Sequence, residues 1–349
     1  MGVQATTRRG WHGERCPPFY GTGARSGAGD ILVAYPENGI PARRQCPHLR
    51  LYYKREAHAY QSRWLEDLPG GLAAPRCFAD DIGSHWPLEH EVIEHQDGSC
   101  WIWLEDIYGL VARHLGQFNG AYLVDPPLPS WPWLSSGWLG HVIENSASAI
   151  PLLRDSLDNV LIRRWMPGDA SERYFRLWEE RRVYLDALDR LPHTLCHFDI
   201  FRRNVFSRRT AGGDYQSVAI DWAFAGKGAL GEELAPLILA SVMFFDVGLE
   251  KAQALEKIAF EGYLEGLRDA GWRGDPRQVR LGYAAAATLR YKFNDAGRWL
   301  NLVLNENLHP MILQMWGMPI ENVIDHSAGV ASLFDRLADE ARELIEALG

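Results

Sequence analysis

The 349-residue sequence has no apolar run long enough to cross a bilayer. Its longest nearly uncharged stretch, Leu234 to Phe245, contains Pro236 and lies between Glu233 and Asp246, so a buried helix is expected there. Met1 to Pro18 carries charge but no apolar segment, and no Sec-type signal peptide is expected. The five cysteines are odd in number and widely spaced, and no CxxC pair occurs among them. Neither a disulfide framework nor a zinc site is indicated, and a reducing cytoplasm is the expected location. Basic residues form no cluster: 36 Lys and Arg stand against 45 Asp and Glu, a net charge of −9. That balance argues against a nucleic-acid partner. No period of 20 to 50 residues recurs, which sets aside solenoids and propellers.

What is present is a globular composition, 47% hydrophobic and 23% charged, long enough for one large or two modest cores. Residues 1–50 are rich in Gly, Arg, Pro and Cys, with one strand expected at Ile31 to Tyr35. Arg55 to Leu68 reads as a helix, because Ala57, Tyr60, Trp64, Leu65 and Leu68 share a face and Pro69-Gly70-Gly71 stops it. Short strands are expected near Val92-Ile93 and at Trp101 to Leu104, about a turn at Gln96-Asp97-Gly98. Beyond Asp106 the pattern is mainly helical, over Leu110–Asn119, Ser171–Leu191, Leu234–Phe245, Leu249–Ala270, Gln278–Leu304 and Ser332–Leu348. Val124 to Trp138, dense in proline and tryptophan, reads as an irregular loop over apolar surface.

One segment places polar residues among these elements: His197-Phe198-Asp199-Ile200-Phe201-Arg202-Arg203-Asn204-Val205-Phe206, then Val218-Ala219-Ile220-Asp221-Trp222. Ala211-Gly212-Gly213-Asp214 between them is a strong turn signal. A hairpin about that turn sets Asn204 and Asp221 side by side at its open end, with Asp199 close by. Asn and Asp are hard-oxygen ligands suited to Mg²⁺, which keeps waters and phosphates as its other ligands. The second Asp is placed to orient or deprotonate a substrate hydroxyl. Taken singly, the same residues also read as a core histidine, a cap and turn formers.

His197 to Asn204 followed by Ile220-Asp221-Trp222 resembles the catalytic and metal-binding motifs of the aminoglycoside phosphotransferase and choline kinase family, small-molecule relatives of the protein kinases. Arg55-Glu56-Ala57, Pro75-Arg76, Trp103 to Asp106, His114-Leu115-Gly116 and Gly228 to Ala235 fall in order as further landmarks, so the resemblance covers about residues 50 to 300. It implies an α+β, two-lobed protein-kinase-like fold. The small β-rich nucleotide lobe would be residues 1–105, with 1–48 atypical, and the helical catalytic and substrate lobe would be 106–349. It further implies ATP- and Mg²⁺-dependent transfer of the γ-phosphate to a hydroxyl of a small molecule, aminoglycoside-like or other. Asp199 would be the catalytic Asp, His197 would brace the loop, and Asn204 and Asp221 would hold Mg²⁺. Leu104, Glu105, Asp106 and Ile107 would form the hinge that meets adenine, with Glu56 as the helix glutamate of the nucleotide site. Glu233, where relatives often carry Asp, reads as structural. Nucleotide and a hydroxyl acceptor are the implied partners, without nucleic acid or membrane.

The resemblance breaks most sharply at the phosphate-binding lysine. Protein kinase-like enzymes hold the α- and β-phosphates with a strand lysine paired to the helix glutamate. Lys54 is the only lysine before Lys227, and it lies two residues from Glu56, too near for a separate strand. A catalytically impaired nucleotide-binding protein is therefore the competing expectation, and a metal-dependent hydrolase using Asp199 and Asp221 a weaker one.

Overall fold

The structure is a computed structural model that describes residues 23–25, 31–33, 54–77, 105–125 and 127–349. Strands β1 (Gly23–Arg25) and β2 (Ile31–Val33) form an antiparallel pair, and β2 lies within the strand expected at Ile31 to Tyr35. The strands expected at Val92-Ile93 and Trp101 to Leu104 lie outside the described residues. Helix α1 (Arg55–Gln61) is shorter than the helix read from the sequence. Arg63 turns left-handed, at φ 60°, and the chain resumes as a 3₁₀ turn at Trp64–Glu66 before β3 (Leu72–Ala73). The break keeps Ala57, Trp64, Leu65 and Leu68 buried, as the apolar pattern requires.

The larger part begins with α2 (Glu105–Val124), which buries Tyr108, Val111, Leu115 and Phe118. Four helices follow: α3 (Trp138–Ser146), α4 (Ala149–Asp155), α5 (Val160–Trp165) and α6 (Ala170–Arg190). The first three are too short to show a clear period, which is why the sequence reading passed over them. Strands β4 (His193–Cys196), β5 (Val205–Arg209), β6 (Tyr215–Ala219) and β7 (Gly226–Ala229) come next. Then follow α7 (Leu234–Met243), α8 (Ala252–Asp269), α9 (Pro276–Ala287), α10 (Phe293–Leu304), α11 (His309–Trp316) and α12 (Ile320–Leu348). Between α9 and α10 lies a π-helical turn, Thr288–Lys292, inside what the sequence presents as one long helix. Helix α12 starts twelve residues before the expected Ser332, since Ile320, Val323 and Ile324 extend its buried stripe past Gly329.

Topology explains why the polar segment is where it is. β5 and β6 form the expected hairpin, from Val205 opposite Ala219 to Arg209 opposite Tyr215, and β3 adds in parallel to the other edge of β6. β4 and β7 form a second ladder, from His193 opposite Ala229 to Cys196 opposite Gly226. The chain therefore crosses between the two ladders twice, once through 197–204 and once through 220–225. The two connectors have to run side by side because both of their ends are fixed by strand pairing. Among the described residues no helix is long and apolar enough to cross a membrane.

Candidate active site

The first connector leaves β4 by a sharp reversal. Phe198 takes a left-handed φ of 64°, unusual for a bulky residue and costly unless its surroundings impose it. They do so from several sides. Its ring is buried and stacks on Trp138, with centroids 4.9 Å apart and planes 7° from parallel. Gly228 leaves it room, since a Cβ there would stand 2.6 Å from the Phe198 ring. The Glu233 carboxylate accepts the backbone N–H of His197 at 2.9 Å and that of Phe198 at 2.6 Å, and Asn119 donates to it as well. Burial pushes the Glu233 pKa up to about 7.

His197 ties the two connectors together. Its Nε2 lies 2.9 Å from the Ile220 carbonyl, which can only accept, so Nε2 carries the proton and donates. Nδ1 is then the acceptor for the Asp199 N–H at 3.2 Å. This arrangement needs the neutral imidazole, and burial lowers its pKa to about 4.

Asp199 is half-buried, and both its carboxylate oxygens are held. Oδ2 accepts from the Asn204 amide nitrogen at 3.0 Å, and Oδ1 from Arg290 at 3.2 Å. The Asn204 carbonyl accepts the Ile220 N–H at 2.9 Å, which continues the β5–β6 ladder by one step and sets Asn204 opposite Ile220, the residue before Asp221. Asp221 is also left-handed, at φ 64°, and opens a 3₁₀ turn at Trp222–Phe224. Two residues of α1 hold that turn: Glu56 accepts the Trp222 N–H at 3.1 Å, and the buried Arg55 donates to the Ala223 carbonyl at 2.6 Å.

Carboxylates crowd here: Asp199 is paired with Arg290, and Asp221 lies close to both Asp199 and Glu56. Burial and the Asp199 charge raise the Asp221 pKa to about 7, and burial and the Asp221 charge raise that of Glu56 to about 8. Such a set favours a cation. Among the described residues, no group of three or more His, Cys, Asp or Glu side chains is disposed to hold a metal by itself. An ion on Asn204 and Asp221 would need most of its ligands from elsewhere, which fits Mg²⁺ carrying water and phosphate oxygens.

The structure thus brings His197, Asp199, Asn204, Asp221 and Glu56 together. Leu104 lies outside the described residues, and Glu105, Asp106 and Ile107 form the first turn of α2. Arg202 and Arg203 both turn to Asp246, at 2.5 and 3.5 Å. Sequence reading missed Arg290, although an arginine after the four alanines 284–287 is an unusual charge in an apolar run.

The connectors between the strand ladders thus hold a loop aspartate bonded to a neutral histidine and an asparagine, with a second aspartate close by. The phosphotransferase enzyme family (APH) matches residues 62–274, more than half of the chain, and the chain belongs to this family of small-molecule kinases. The microcompartment-associated aminopropanol kinase has a similar structure, with a TM-score of 0.50 at 13% identity over 90% of this chain and 88% of that one. A choline/ethanolamine kinase family protein from Mesorhizobium loti gives a TM-score of 0.49 at 13% identity, over 91% and 88% of the two chains. An aminoglycoside phosphotransferase from Streptomyces rimosus, solved with ADP and streptomycin, gives 0.41 at 17% identity over 77% and 86%. The likeness to the aminopropanol kinase agrees with the α+β, two-lobed kinase-like fold. No curated protein matches the chain significantly.

Proposed function

We propose that this protein transfers the γ-phosphate of ATP, with Mg²⁺, to a hydroxyl of a small molecule. The observation that carries the reading is the gathering of Asp199, Asn204 and Asp221 where the two connectors meet. Asp199 orients the acceptor hydroxyl and takes its proton as the hydroxyl oxygen bonds to the γ-phosphorus and the bond from that phosphorus to the bridging oxygen breaks, releasing ADP. Asn204 and Asp221 would hold Mg²⁺, which when bound would supply charge neutralisation on the nucleotide phosphates. His197 fixes Asp199 through its backbone N–H while it bridges to Ile220. Phosphoryl transfer passes through a loose transition state, so placing groups and neutralising charge account for most of the rate.

Adenine is assigned to Leu104–Ile107, with 1–105 as the nucleotide lobe and 106–349 as the catalytic and substrate lobe. A cytoplasmic location suits a consumer of ATP. The test is ATP consumption across a panel of amino alcohols, aminoglycosides and other hydroxyl compounds, with Asp199→Asn as control. Loss of about 10²-fold or more in turnover with nucleotide binding retained supports the reading.

A second reading, nucleotide binding without efficient transfer, is favoured by one feature. Lys54 directly precedes α1 and Glu56 is bonded to Trp222, so the usual lysine–glutamate pair is absent from the described residues. ATP binding with no turnover on any acceptor, unchanged in Asp199→Asn, would favour it.

A further inference from the structure

Within the proposed function, one charged residue of the site has no role yet. Arg290 is buried, 7% exposed, and is carried not on the catalytic connectors but on the π-helical turn between α9 and α10. Its guanidinium donates to two successive residues of the loop: Nη1 to the Phe198 carbonyl at 2.5 Å, and Nη2 to Asp199 Oδ1 at 3.2 Å. It also lies 4.3 Å above the Trp138 ring, the same ring that stacks on Phe198. We propose that Arg290 is the positioning residue for Asp199, fixing one carboxylate oxygen while Asn204 fixes the other.

A carboxylate turns easily about its last torsion. A single donor would leave Asp199 free to swing, whereas donors on separate oxygens, one from the loop and one from a helix, fix its plane. Arg290 suits this task because it is itself immobilised by the Phe198 carbonyl and the Trp138 face. Its rigid fork addresses two acceptors at once, which a lysine ammonium on a flexible stem does not reproduce. The π-turn supplies the direction. All five of its residues are buried, and while Arg290 points to the loop, Lys292 pairs with Asp335 of α12, so the turn is anchored on both sides. π-Turns inside α-helices recur where function requires a side chain to be re-aimed. A cation on Asp199 weakens it as a base, but a loose transition state demands little proton transfer, so placement outweighs basicity.

The inference rests on the reading of the site as a Mg·ATP phosphotransferase, and the test separates the two. Full-length wild type, Arg290→Lys and Arg290→Ala are compared for Mg·ATP affinity by calorimetry and for phosphate release with water as acceptor. Arg290→Ala is expected to lose about 10²-fold in turnover, the scale of a misplaced reacting group, with affinity within about twofold. Added methylguanidinium is expected to restore part of the loss in Arg290→Ala and none in Asp199→Asn. Arg290→Lys, which keeps the charge but reaches one acceptor, is expected to fall between. Unchanged turnover, or equal loss of affinity and turnover without rescue, overturns the proposal. A wild type that binds no Mg·ATP contradicts the proposed function instead. Amide exchange in Arg290→Lys then decides the inference: faster exchange confined to residues 198–204 supports it, and unchanged protection there overturns it.

Discussion

The side-chain amide nitrogen of Asn204 donates to both the backbone carbonyl and the carboxylate of Asp199, each at 3.0 Å. Both acceptors require the nitrogen to face Asp199, which leaves the amide oxygen as the atom offered to a cation. One side chain thus orients the Asp199 carboxylate and, under the proposed function, would also serve the metal site. Asn204→Ala is expected to lower turnover about 10²-fold and to weaken Mg·ATP binding as well, since both roles are removed. Asn204→Asp keeps a metal-ligating oxygen but sets an acceptor against an acceptor, and is expected to recover binding without turnover. Steady-state kinetics beside calorimetry on the two variants checks the split.

Glu56 joins α1 to the Asp221 turn through the Trp222 N–H. Burial and the Asp221 charge push its pKa up, and Glu56→Gln keeps an acceptor for that N–H. Its melting temperature is expected to match wild type. Glu56→Ala leaves a buried N–H unpaired and is expected to cost roughly 1–3 kcal/mol. Urea unfolding of both variants measures the difference.

His114 on α2 is buried, with Nδ1 2.9 Å from the Ser217 hydroxyl, and burial with the nearby Arg113 charge lowers its pKa to about 4. Between pH 6.5 and 4 the unfolded chain binds a proton there that the folded chain does not. Its contribution to stability is therefore complete above that window and is lost as pH falls through it, at about 1.4 kcal/mol per pH unit. Glu232 and Glu233, raised to about 7, act with the opposite sign, so the difference between proteins isolates the effect. The stability gap between wild type and His114→Gln is expected to narrow from pH 6.5 to pH 4.5 in denaturant titrations.

Gly228 lies under the 197–204 connector, where a Cβ would meet the Phe198 ring at 2.6 Å and Glu232 at 2.9 Å. Gly228→Ala must displace Phe198, which has little freedom against Trp138. It is expected to cost about 1–3 kcal/mol as an overpacked site. Turnover is expected to fall further than nucleotide affinity, because Asp199 follows Phe198 directly. Gly228→Ser should behave in the same way, and unaltered kinetics in a folded variant would contradict the packing argument.

Much of the site was legible because it depends on short-range rules. The Gly212-Gly213 turn and the alternating apolar residues about it fix the β5–β6 hairpin, though its register puts Asn204 opposite Ile220, one residue short of the Asp221 expected there. Arg290 was not legible. It reaches Asp199 across 91 residues of chain, and its direction depends on a π-turn that no sequence period announces. The break in α1 at Arg63 was hidden for a related reason, since the apolar face continues through it and only the backbone changes. The early start of α12 was obscured by Gly329, a weak helix former that here packs against Leu249.

Calorimetric titration of ATP into the full-length protein, with and without Mg²⁺, on wild type and Asp221→Ala, tests the central claim most directly. The account predicts wild-type binding that requires Mg²⁺ and is lost in Asp221→Ala. Equal binding by both proteins, or none at millimolar ATP, would contradict it.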